Sequence, residues 1–308
     1  MGMNARPIST YSIIAISKKE NLMGVAVQSH CFSVGSVVPW AESGVGVVAT
    51  QSRTEPSYGP LGLFLMKAGI RAGKTLEALL TTDPKEDVRQ VAMLDTIDGI
   101  AAHTGTQCIP ESGHLIGDDF SVQANLMKSK EVWPAMASAF RRSGGTFMRR
   151  LMSALDAAED VGGDIRGRQS AAMLVVKCRS TGIPWEDKVI DLRVEDHPEP
   201  LKELHRLITI SEAYEINSIG DDLIAQGKVK KAIKEYRLAN RKAPEILELK
   251  FWQVVSLLNS GNFETAREIL KDVLAADRRW KKILLSLPRP AILSVDEETL
   301  YKIVNEPR

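Results

Sequence analysis

Four stretches of the chain gather side chains able to do chemistry. Thr10 heads a β-rich run, Thr10 to Ser17. A threonine hydroxyl is a weak nucleophile at its ordinary pKa and needs a base beside it. Ser29-His30-Cys31-Phe32-Ser33 puts four potentially reactive side chains into five positions. It reads either as a polar loop with a partly buried cysteine or as the lining of a cleft beside Thr10, with His30 available for acid–base work. Cys31 is an alternative nucleophile, which requires a low thiolate pKa. Adjacent strand residues point to opposite faces, so His30 is poorly placed to serve it. His103 is a second acid–base candidate. The glycine-rich stretch Gly162 to Ala172 carries Asp164, Arg166, Arg168, Gln169 and Ser170. Glycine-freed backbone N–H groups beside two guanidinium groups suit a carboxylate or another anion. The plainer reading is a tight helix-to-strand connection with solvated arginines. Asn125 and Gln169 are candidates to steady an oxyanion, and Ser52 and Tyr58, from the turn-rich stretch 51–60, are further candidate substrate contacts.

The elements that must position these residues begin with a hairpin, 10–17 and 22–30, turned at Lys18-Lys19-Glu20-Asn21. Strands are expected at 35–38 and 44–49. Pro60 starts a helix that runs to Ala68, 75–80 forms a second, and Asp83-Pro84 opens a third. A second hairpin, 90–95 and 99–103, turns at Asp98-Gly99. The segment 108–117, with His114, reads as irregular. Phe120 to Asn125 alternates as a half-buried strand. Helices follow at about 130–142 and 146–159, then strands at 173–176 and 188–194. This is not regular βαβ alternation, so two stacked antiparallel sheets with helices outside fit better than a doubly wound parallel sheet.

Composition limits the function classes. The 308 residues suggest two domains, and a net charge of +1 argues against a general nucleic-acid or membrane-surface role. No apolar run reaches the roughly 18 residues of a membrane span. Residues 1–9 lack a signal-peptide core and read as a flexible arm, so a cytoplasmic protein is expected. Cys31, Cys108 and Cys178 lack metal-like spacing and read as reduced thiols. The five histidines, 30, 103, 114, 197 and 205, show no ligand pairing, so no metal is expected.

Thr10 to Ala15, Gly24 to His30, Gly35 to Ala41, Ala49 to Ser52, Pro56 to Pro60, His103-Thr104-Gly105 and Gly162 to Ala172 together carry a resemblance. They are similar to a functionally uncharacterised prokaryotic family placed by fold in the N-terminal-nucleophile (Ntn) hydrolase clan, over about residues 10–205. The resemblance implies an α+β protein with a four-layer αββα sandwich. It also implies Thr10 as nucleophile, its own α-amine as base, a small amide or peptide-like substrate, and no cofactor. Family members commonly begin Met-Thr, whereas here nine residues precede Thr10. The proteasome-type lysine after the second strand is replaced by the His30–Ser33 neighbourhood.

From Ala213 onward the pattern changes to pure helix period, within an expected helical domain of residues 206–308. Ile216, Gly220, Leu223, Gly227, Ala232, Tyr236, Ala239 and Pro244 fall at tetratricopeptide-repeat spacing, and Gly261, Ala266 and Leu270 make a weaker second copy. A small all-α TPR-like domain is expected, with 213–278 available to a protein partner. Two repeats are few for independent stability, and together with the sheet edges this suggests a homo-oligomer. Lys228, Lys230, Lys231, Lys234, Arg237, Arg241 and Lys242 read as a solvated face rather than a nucleic-acid site, having no aromatic interleaving. A closing helix is expected at about 295–304, opened by Ser294 and Glu297. The competing functional reading is a catalytically inactive scaffold whose repeats bind a protein.

Overall fold

The computed structural model describes residues 10–97 and 99–305. The expected arm, 1–9, and Asp98 of the second hairpin turn lie outside them. The chain divides into two compact units between Arg206 and Leu207.

The first unit opens with β1 (Thr10–Ser17), β2 (Leu22–Ser29), β3 (Pro39–Glu42) and β4 (Gly46–Ser52). Helices α1 (Tyr58–Lys67) and α2 (Ala72–Thr82) follow, then β5 (Arg89–Asp95), β6 (Ile100–Thr104), β7 (Gly113–Ile116) and β8 (Phe120–Asn125). Next come α3 (Val132–Arg142), α4 (Phe147–Asp160), β9 (Ser170–Lys177), the short α5 (Pro184–Asp187) and β10 (Lys188–Val194). All pairings are antiparallel, in a six-stranded sheet β10-β9-β2-β1-β8-β7 and a four-stranded sheet β3-β4-β5-β6.

Strand alternation decides which side chain faces which layer. From the six-stranded sheet, Ile14, Ile16, Met23, Val25, Val27, Ala172 and Leu174 pack against Val47, Ala49, Ala92 and Leu94 of the other sheet. The opposite side of the four-stranded sheet, through Val48, Val91 and Met93, packs on Tyr58, Leu63, Met66, Ala72 and Leu76 of α1 and α2. Helices α3 and α4 cover the outer side of the six-stranded sheet at β8, β1 and β2. The layer order is therefore helices, sheet, sheet, helices. Each fully buried aliphatic side chain in the middle layer contributes about 1.5–3 kcal/mol of burial.

Local chemistry explains several boundaries. The β1–β2 turn ends at Asn21, whose φ of 58° suits an asparagine. Thr146 caps α4, its Oγ1 accepting the Arg149 N–H. Four expectations need correction. The strand expected at 35–38 is a 3-10 turn, Val34–Ser36, and the pairing segment is Pro39–Glu42. The helix expected after Pro84 is a 3-10 turn at Glu86–Val88. Irregular 108–117 contains β7, paired to β8. Finally, Phe120–Asn125 is buried at every position, because a helix covers one side and the second sheet the other.

In the second unit α7 (Val229–Lys242), α8 (Leu247–Asn259), α9 (Phe263–Ala276), α10 (Arg279–Ser286) and α11 (Glu297–Asn305) follow α6 (Pro200–Ala225), which crosses the division. Tyr236 is buried and its hydroxyl donates to Asp221 Oδ1 at 2.7 Å. A Cβ on Gly220 would stand 2.3 Å from the Tyr236 ring, so only glycine permits this approach. Trp280 lies on Phe251 with ring centroids 4.5 Å apart. No described helix is long and apolar enough to cross a membrane.

Candidate functional site at the head of the first strand

The inward side chains of the first unit change character at one level. On β1 the sequence passes from Ile14 to Ser12 and Thr10, on β2 from Val27 to Ser29, and on β9 from Ala172 to Ser170. On β4 it passes from Ala49 to Gln51, on β5 from Ala92 to Gln90, and on β6 from Ala102 to Thr104. Strands β8 and β7 add Gln123, Asn125 and His114 at the same level, opposite Ser12, Thr10 and Gln123.

Most of these polar groups hydrogen-bond to one another. Ser12 Oγ donates to Gln51 Oε1 at 2.6 Å and accepts from Gln123 Nε2 at 2.7 Å. Gln90 Oε1 accepts from Gln51 Nε2 at 2.7 Å and from Asn125 Nδ2 at 3.0 Å. Gln90 Nε2 donates to Thr104 Oγ1 at 2.9 Å and to the Ala124 carbonyl at 2.9 Å. Having accepted there, Thr104 has its hydroxyl proton left for His114 Nδ1, 2.8 Å away, which leaves the imidazole proton on Nε2. Burial, with His103 nearby, lowers the His114 pKa.

Thr10 sits at the edge of this network and has no exposed surface. Its Oγ1 donates to Ser29 Oγ at 3.3 Å. Its carbonyl accepts from Gln51 Nε2 at 3.3 Å and Asn125 Nδ2 at 3.5 Å.

Residues 163–169 span the head of β1 from one neighbouring strand to the other. On the β8 side, Lys128 donates its N–H to the Gly163 carbonyl, Ile165 donates to the Leu126 carbonyl, and Asp164 bridges Met127. On the β2 side, Gln169 donates its N–H to the Ser29 carbonyl. The buried Asp164 carboxylate pins the segment, accepting from the His30 N–H at 3.0 Å, the Arg166 N–H at 2.9 Å and Arg166 Nη2 at 3.0 Å. Gly162, Gly163 and Gly167 take φ values of 108°, 51° and 103°, which makes this crossing a glycine-dependent path.

Of the residues singled out from the sequence, Thr10, Asn125, His30, Cys31, Asp164, Arg166, Arg168 and Gln169 belong to this end. His30 Nδ1 faces the Arg168 carbonyl at 3.2 Å. A carbonyl only accepts, so Nδ1 carries the proton and Nε2 is the basic atom. Burial pushes the Cys31 thiol pKa up, against the low value a cysteine nucleophile requires. The arginines expected to hold a substrate anion already face carboxylates, Arg166 on Asp164 at 3.0 Å and Arg168 on Glu159 at 2.6 Å. Glu159 also accepts from the Tyr11 hydroxyl, 2.5 Å away, and Gln169 Nε2 donates to Asp196 at 3.1 Å.

His103, Ser52 and Tyr58 are not brought to Thr10. His103 follows Ala102 on β6, so it points to the helix side, where Nε2 meets the Glu86 carboxylate at 3.0 Å. Ser52 ends β4 one residue past the inward Gln51, at a φ of 69°. Tyr58 opens α1 and packs on the helix side of the four-stranded sheet, and its hydroxyl donates to Asp83, itself bound by Arg89 Nε at 2.7 Å. Burial, aided by Asp83, raises the Tyr58 pKa.

Sequence reasoning missed Ser12, Gln51, Gln90, Gln123, Thr104 and His114. The available signal was a polar residue at the inward end of each apolar strand, which is informative only once strands are placed side by side. No cluster of three metal-ligating side chains occurs among the described residues. A cleft of about 580 Å³ opens at the opposite end of the sheets, with Ile16, Leu94 and Ile100 as its apolar floor.

The comparisons with known proteins fall on this unit. A solved structure of a DUF1028 protein from Silicibacter pomeroyi is similar at 28% identity and a TM-score of 0.59, covering 65% of this chain and 88% of that one. No functionally curated protein matches. With its sequence profile matching residues 10–204, well over half the chain, the family of unknown function DUF1028 is the one to which this protein belongs.

Proposed function

We propose that the first unit is an amidohydrolase of the N-terminal-nucleophile kind, acting on a small amide or peptide-like substrate. The observation that carries this reading is the position of Thr10. It is the first residue of a central strand, its hydroxyl is turned into the space between two sheets, and its carbonyl is held by two buried amides. Stacked sheets with helices on both outer sides support the same reading. In the reaction Thr10 Oγ1 bonds to the amide carbon and the C–N bond breaks. The hydroxyl proton passes through the α-amine to the leaving amine, and water then hydrolyses the ester. His30 Nε2 is a secondary acid–base group.

That chemistry needs a free α-amine, and Ser9 acylates the Thr10 nitrogen. An amide nitrogen has no basic lone pair, so the Ser9–Thr10 bond must be cut before the site works. The test compares three chains: one from Met1, one released by a protease so that it starts at Thr10, and the released chain with a terminal alanine from Thr10→Ala. Intact mass verifies each terminus, and primary-amine release is read over a panel of amides. Activity is expected only from the Thr10-terminal chain, falling by at least about 100-fold in the alanine chain. Equal hydrolysis by all three, or none by any, overturns the reading.

One observation favours a second reading, a non-catalytic fold whose helical segment 213–278 holds a protein partner. Thr10 has no exposed surface. A partner retained by the full chain and lost from a chain ending at Arg206 would favour it. Both readings keep a cytoplasmic homo-oligomer without metal or cofactor, which light scattering and cell fractionation test.

A further inference from the structure

The second unit carries a groove of about 680 Å³ between α10 and α11, within the range of ligand-binding sites. Arg278, Lys281, Lys282 and Arg289 line it, against the single carboxylate of Glu297. On α10 the lining residues Arg278, Lys281, Lys282 and Leu285 recur at helical spacing, and on α11 so do Glu297, Leu300 and Tyr301. Two facing helical stripes therefore form its walls.

Neighbouring acids are engaged elsewhere. Asp277 binds Arg279 Nη2 at 2.6 Å, Glu298 binds Lys302 at 2.6 Å, and Asp296 accepts the Thr299 N–H. Lys281 donates to the neutral Asn305 Oδ1 at 2.7 Å. Among the described residues no carboxylate pairs with Arg278, Lys282 or Arg289. Helix α2 and the start of α6 follow a different pattern, matching lysine or arginine with an acid three residues away, as in Lys74–Glu77, Lys202–Glu199 and Arg206–Glu203. Besides the cations, Glu297 and Ser286, the groove wall is apolar. Leu285 is 40% exposed, Tyr301 is 64% exposed, and Leu300 is buried beneath.

We propose that this groove binds an acidic protein segment carrying an aliphatic anchor residue. The cations are spread in a row from Arg278 past Leu285, over about 10 Å of helix rise. A row suits carboxylates strung along a chain, whereas a single phosphate calls for converging donors. Two leucines and one ring suit an aliphatic side chain better than a run of stacked bases. Leu284 of α10 and Leu287 just beyond it are buried in the unit's own core, and the two exposed aliphatic residues of the helix, Ile283 and Leu285, make too narrow an apolar face to enter a bilayer. This inference is independent of the amidohydrolase reading.

The test uses the full chain and a fluorescein-labelled decapeptide of alternating glutamate and leucine, read by anisotropy. Saturable, salt-sensitive binding is expected, weakened about tenfold by Arg278→Glu with Arg289→Glu. Lys230→Glu with Lys234→Glu, on the exposed basic face of α7, should leave affinity unchanged. A benzophenone on the peptide should crosslink within residues 278–301, a readout that needs no variant. Equal binding of the glutamine-for-glutamate peptide overturns the proposal. So does crosslinking elsewhere, tighter binding to a uridine decamer or to phosphatidylserine vesicles, or no binding.

Discussion

The layer between the two sheets has an apolar half and a polar half, built on the same strands with the same register. In one half Ile14, Ile16, Val25, Val47 and Leu94 interlock with no polar atom to satisfy. In the other, Ser12, Gln51, Gln90, Gln123 and Asn125 are equally buried and held by hydrogen bonds. A buried amide network specifies geometry because each group must find its partner, and one unmade bond costs more than a made bond contributes. The apolar half tolerates repacking far better. The polar half is thus the place in this unit where atomic positions are most tightly defined, and Thr10 stands at its edge.

Substitutions can break this comparison. Ile14→Ala should destabilise the chain the most, by about 3–5 kcal/mol in urea unfolding, because it leaves a cavity in a close-packed layer. A loss under about 1 kcal/mol would show the apolar half to be loosely packed. Gln90→Met keeps the volume but removes the shorter of the acceptors that Gln51 and Asn125 share with the Thr10 carbonyl, and should destabilise by about 2–4 kcal/mol. A neutral result would mean that the amide network is replaceable by packing, erasing the contrast between the halves.

Gln28 sharpens the contrast with the opposite sign. It is fully buried on the outer side of β2, and neither its Nε2 nor its Oε1 has a partner among the described residues. Gln28→Met should therefore be neutral or stabilising by up to about 1 kcal/mol. The smallest expected effect is a pH dependence. His114 is held neutral by burial, so its folded pKa lies below the ordinary value. Its contribution is present above about pH 6.5 and is lost as pH falls below that toward the folded value. The urea midpoint should drop between about pH 7.5 and about pH 5.5, and less in His114→Gln. Equal drops in both proteins would remove His114 from the network's energetics.

The strands carrying the candidate site were largely legible. The first hairpin, 10–17 with 22–30, and the strand 90–95 appear as β1, β2 and β5 because alternation and turn residues are local signals. The short pieces were not: Val34–Ser36 and Gly113–Ile116 hold too few residues to establish a period. Among site residues, Thr10, His30 and Cys31 drew attention by their chemistry, while Ser12, Thr104, His114 and the inward glutamines 51, 90 and 123 did not. Gln90 and Gln123 read as ordinary polar positions on half-buried strands until both sides of the sheet are seen to be covered.

What the sequence determined by itself was the local alphabet: which runs extend, which coil, where glycine turns the chain at 162–167, and that Thr10 begins a strand. These follow from neighbours a few residues apart. Only the tertiary structure decided which chemistry is shared. It set Gln51 and Asn125 on both the Thr10 carbonyl and Gln90 Oε1, spent Arg166 and Arg168 on the acids Asp164 and Glu159, and turned His103 and Tyr58 away from Thr10. The reason is that strand order and sheet stacking join residues far apart in the chain, Asn125 and Thr10 being 115 positions apart, and no period in a sequence encodes that distance.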